Sequence, residues 1–131
     1  MIARGSGDET EARRHIALWQ GMIGHWNTIA DEYREAARGR VPASEPMLRE
    51  ADRTRRCIRD ALDHCERLVD NLAPGHEMRP ELFQIEWALE ALNESIAISA
   101  EQMGPRIEAS RNVAGLKYLL SALKQDAGLG A

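Results

Sequence analysis

The sequence predicts an all-α domain, a four-helix antiparallel bundle with long first two helices, on three observations. Nineteen alanines stand against three valines and three threonines, a balance that favours helix formers over the β-branched residues of sheets. Apolar residues recur at alternating steps of four and three along most of the chain, the spacing that lines one side of a helix. Short segments with proline or glycine divide that pattern into four stretches. A length of 131 residues, with 44% hydrophobic and 29% charged, supports a single helical domain over 1–131 with enough apolar material for a core.

The first helix is expected over about 9–38. Asp8 offers an N-cap, with Glu11 three positions on as its capping-box partner, and residues 1–7 are read as loose. Its seam runs Ala12, Ile16, Trp19, Ile23, Trp26, Ala30, Tyr33, Ala37, widened by Met22, Ile29 and Ala36, and Gly39 ends it. A second helix over about 45–72 opens on Ser44 as N-cap with Pro46 in the first turn, where a missing N–H costs little. Ala51, Arg55, Ile58, Leu62, Cys65, Val69 and Leu72 form its seam, and Pro74-Gly75 closes it. Arg55 breaks the apolar pattern, so it either snorkels or meets a carboxylate.

The third helix, about 79–103, carries Met78, Leu82, Ile85, Leu89, Leu92, Ile96, Ser99 and Met103 on one line. Gly104-Pro105 then predicts a sharp corner in preference to a continuous kinked helix, with glycine suited to a helix end and proline to the start of the next. A fourth helix, about 105–125, follows with Ala109, Val113, Leu116, Leu120, Leu123 and Ala127, and residues 126–131 are read as loose. The four rods are unequal. The long first pair should overhang the second, or the overhang should be covered by a second copy.

A net charge of -4 argues against general affinity for nucleic acid or anionic lipid. No apolar run approaches the roughly 20 residues that span a bilayer, and the N-terminus lacks a secretory pattern, so a cytoplasmic protein is expected. Cys57 and Cys65 lie eight positions apart on one helix, roughly 12 Å along its axis and beyond disulfide reach. The histidines, His15, His25, His64 and His76, show no Glu-x-x-His spacing, and Cys57, His64 and Cys65 cannot close around one ion from a single helix. They read as boundary or surface residues. No cofactor, no metal and no catalytic group is expected, because neither a nucleophile with its base nor a phosphate-cradling glycine loop is visible. The chain does not read as an enzyme.

The arginines from Arg38 to Arg59 interleave with Glu45, Glu50, Asp52 and Asp60 as a solvated face. The third helix is different in kind. Opposite its seam stand Trp87 and Ile98, with Phe83 and Ala91 beside them and Glu90 and Glu94 as a rim. A helix apolar on two sides is buried between layers or makes an intermolecular contact. The expectation is a small regulatory protein–protein interaction module, a homodimer or binder of a protein partner such as a transcription regulator, in the manner of an antiactivator or an adaptor. Phe83, Trp87, Glu90, Ala91, Glu94 and Ile98 would form the partner-binding face. The alternative is a small-ligand-binding bundle whose interior is lined by Trp19, Trp26 and Tyr33.

Overall fold

The computed structural model describes the backbone of residues 3–128 and the side chains of residues 9–128. It holds three helices: α1 (Ala3–Ala37), α2 (Glu45–Asn71) and α3 (Arg79–Asp126), with no strand among the described residues. At 1.5 Å per residue the 35, 27 and 48 residues make rods of about 52, 40 and 72 Å. α3 packs against both α1 and α2, while α1 and α2 touch each other least.

The first three seams become the core. Ala12, Ile16, Trp19, Trp26, Ala30 and Tyr33 are buried from α1, Ala51, Ile58 and Cys65 from α2, and Leu82, Leu89, Ile96 and Met103 from α3. The second helix starts as its sequence predicts: the Ser44 hydroxyl accepts from the Met47 N–H at 3.3 Å, with proline in the first turn. At the other end of α2, the Arg79 guanidinium donates to the carbonyls of Val69 and Leu72 at 3.0 and 3.2 Å. Arg55 meets an amide rather than a carboxylate: its Nε donates to Asn93 Oδ1 at 3.2 Å. Gly39 turns the chain after α1 at φ +77°, and any side chain there would collide with Arg106.

α1 begins at Ala3, so Asp8 lies inside the helix rather than at its cap. The Asp8 side chain falls outside the described ones, as do residues 1–2 and 129–131 of the ends read as loose.

The larger correction is at Gly104-Pro105, where the expected corner and separate fourth helix are absent and α3 continues without interruption. Proline deprives the helix of one N–H and crowds the carbonyl four residues back, which here is that of Glu101. Glu101 and Pro105 both lie on the exposed side, where water reaches the released carbonyl. The opposite side holds the helix together. Met103 is fully buried, Ile107 packs on the core, and Arg106 Nε donates to the Ala37 carbonyl at 2.7 Å. A corner would forfeit all three contacts.

The consequence is a projection. Arg106 binds the end of α1, and Arg111 pairs with Glu45 at the start of α2, so the bundle ends near residue 111 of α3. From Glu108 to Asp126 every residue is exposed except half-buried Ala122. The seam expected to fill a fourth helix's share of the core, Ala109, Val113, Leu116, Leu120 and Leu123, faces open space instead.

Candidate functional site

Phe83, Trp87 and Ile98 stand on the outer side of α3 at 37%, 66% and 47% exposure, and Glu90, Ala91 and Glu94 are exposed with them. All six residues of the expected partner-binding face therefore share one surface, and none is sealed beneath α1 or α2. The guanidinium of Arg79 lies over the Phe83 ring at 5.6 Å, a cation–π contact at one end of the face. Arg34 of α1 borders it at the other, donating to Ser95 Oγ at 2.8 Å.

The continuity of α3 extends this face beyond those six residues. Trp87, Ile98, Ala109 and Leu120 are spaced by eleven residues, a period of 3.67 per turn that keeps side chains on one nearly straight line. Val113, Leu116 and Leu123 widen the line along the projection, and Leu116 and Leu120 are 61% and 57% exposed. One apolar stripe thus runs from Phe83 to Leu123, with the bundle packed behind its first half and none of the other described helices behind its second. Its large side chains expose several hundred Å² of apolar surface, on the order of the roughly 800 Å² one partner contributes to a stable interface.

Trp19, Trp26 and Tyr33 pack as core side chains, at 4%, 7% and 1% exposure. Burial pushes the Tyr33 phenol above its ordinary value.

A second constellation joins α1 to α2. Glu11 and His15 stand one turn apart on α1, and His64 faces them from α2. Glu11 Oε1 lies 3.6 Å from Nε2 of His15 and 3.6 Å from Nε2 of His64. The two imidazole rings meet edge to face at 4.2 Å, and the Trp19 indole closes one side, stacked on His15 at 5.1 Å and set edgewise to His64 at 5.5 Å. Burial pushes the His15 ring down from its ordinary value and nearby His64 adds to this. Its Nδ1 is buried without a hydrogen-bond partner. His25 is exposed, whereas both nitrogens of His76 are engaged, Nε2 with Glu9 at 2.8 Å and Nδ1 accepting from the Met78 N–H at 3.1 Å.

No protein-family model, curated protein or solved structure matches the chain. No helix among the described residues is long and apolar enough to cross a membrane.

Sequence reasoning missed the histidine pair because His15 and His64 meet only through the register of two helices. Glu11 and His15 at i and i+4 were the available signal. It also missed the length of the stripe, which the eleven-residue spacing of Trp87, Ile98, Ala109 and Leu120 carried.

Proposed function

We propose that the chain is a regulatory protein–protein interaction module that pairs with a second copy of itself along the outer face of α3. The observation that supports this is the stripe of exposed apolar side chains between Phe83 and Leu123, on a helix whose reverse side is already spent on the core. Its pattern is self-complementary. Trp87, Ile98, Ala109 and Leu120 are symmetric about a point between Met103 and Gly104, so a two-fold axis there sets Trp87 against the other copy's Leu120 and Ile98 against its Ala109. In that arrangement the projection of each copy covers the stripe on the bundled half of the other. Each large aliphatic or aromatic side chain removed from water contributes about 1.5–3 kcal/mol if fully buried, which sets the scale of the driving force. A regulator of the antiactivator or adaptor type works by occupying such a face, and Glu90 and Glu94 at its rim bias orientation rather than affinity.

Light scattering tests the proposal. The native chain is expected at twice its 14.7 kDa mass, and Trp87→Asp or Leu120→Asp is expected to give the single-chain mass with unchanged helicity by circular dichroism. A native chain that runs at 14.7 kDa, or a double mass that survives both substitutions, overturns it.

A further inference from the structure

We infer that Glu11, His15 and His64 form a binding site for a divalent transition cation of the zinc class, bridging α1 and α2 with one coordination position left open. The donor set is two imidazole nitrogens and one carboxylate oxygen, a combination found around zinc where three protein ligands leave a fourth place for water. Calcium and magnesium take oxygen ligands instead, so the two nitrogens select against them.

The distances fit an ion better than they fit the bare protein. At 3.6 Å, each of the two nitrogen–oxygen separations is too long for a hydrogen bond. A tetrahedral ion with bonds of about 2.0–2.1 Å has ligand-to-ligand edges of about 3.4 Å. Two edges of the site therefore already stand within a few tenths of an ångström of that value. The three donor atoms all lie within 4.8 Å of one another, so the remaining edge closes by a modest rotation. Glu11 is about half exposed and His64 a third exposed, and both have room to make it. His76 shows the contrast: its nitrogens sit at true hydrogen-bond distances from Glu9 and Met78, leaving no ligand position unused.

Placement favours the site as well. α1 and α2 make the weakest of the three helix contacts, and an ion held by both would join them. Trp19 walls one side against water without supplying a donor. The buried Nδ1 of His15 lacks the second-shell acceptor that usually orients a metal-bound imidazole. Affinity should accordingly fall below that of a four-ligand structural site.

The test uses the full chain, stripped with chelator and titrated with zinc chloride by calorimetry, and with cobalt chloride while tryptophan emission is followed. One zinc per chain is expected, with quenching by cobalt that is lost in Trp19→Phe. His64→Ala and Glu11→Gln should each weaken binding by at least about tenfold, the lower end of what disturbing a metal site costs. His25→Ala should leave it unchanged. With free zinc at a hundredfold excess over Kd, the melting temperature should rise by roughly 8 °C in the native chain and fall back on adding chelator. Glu11→Gln changes an exposed residue with no loss of volume, so it reports on binding even if His64→Ala disturbs packing. Absence of saturable zinc binding, or binding that survives both His64→Ala and Glu11→Gln, overturns the inference.

Discussion

Glu86 is held among groups of its own sign. Half-buried on α3, it lies near Glu66 and Asp70 of α2 and Glu90 of its own helix, and burial first, then these carboxylates, push its own carboxyl above the ordinary value. A raised folded value means that the folded chain holds its proton more tightly than the unfolded one. Stability from this group is therefore present at low pH and is lost as pH rises from about 4.5 through the folded value. Glu86→Gln removes the charge and should raise the melting temperature at pH 7 by about 1–3 °C, the scale of a surface substitution, with the two chains converging below about pH 4. A variant that melts below the native chain at pH 7 contradicts this account. The thiols show the same control by surroundings. Cys65, fully buried with Sγ donating to the Leu82 carbonyl at 3.4 Å, is pushed up to about 12, chiefly by burial, and is inert, whereas Cys57 is exposed to reagents. That contrast was legible in the sequence, since Cys65 falls on a seam and Cys57 at its edge. The meeting of His15 and His64 was not, because it depends on how two helices are rotated against each other.

Among the elements, α3 shows most plainly what local signals decide and what packing overrides. The first three seams, the Ser44 cap and the Pro74-Gly75 stop match the helices because each depends on neighbours within one turn, whereas the fourth seam does not mark a separate helix. Gly104-Pro105 misled because its local preference for a break competes with contacts made by Met103, Arg106 and Ile107 to other helices. Interior proline costs a helix about 3 kcal/mol, and the exposed setting of Glu101 and Pro105 keeps the cost near or below that figure. Pro105→Ala should therefore stabilise the chain by about 1–3 kcal/mol, read as a higher urea midpoint at unchanged m-value. An unchanged or lower midpoint would mean that proline sets a bend the core requires. The same misreading hid the stripe. A helix assumed to stop at residue 103 leaves Trp87 and Ile98 as a patch, while a helix that continues joins them to Ala109 and Leu120 in one line.

For the whole molecule, the lengths of the three rods pose the problem that a second copy solves. α1 and α2 reach no further than about residue 111 of α3, and an isolated amphipathic projection keeps its apolar side in water at a continuing cost. Two-fold antiparallel pairing sets the projection of each copy on the outer face of the other's bundle, whereas a parallel pairing sets projection against projection and bundled half against bundled half. The two arrangements are separated by where an exposed cysteine meets its counterpart. About an axis between Met103 and Gly104, position 102 faces position 105 of the other copy, roughly 4.5 Å along the helix, while position 113 faces position 94 and lies about 28 Å from its own equivalent. In a Cys57→Ser background, Gln102→Cys should therefore oxidise to a disulfide-linked dimer, and Val113→Cys should not, since bridged residues need α carbons within about 7 Å. Parallel pairing brings each position beside itself and would cross-link both variants alike. Cross-linking of Val113→Cys as readily as Gln102→Cys, read on a non-reducing gel, would overturn the antiparallel arrangement while leaving the apolar stripe as the contact.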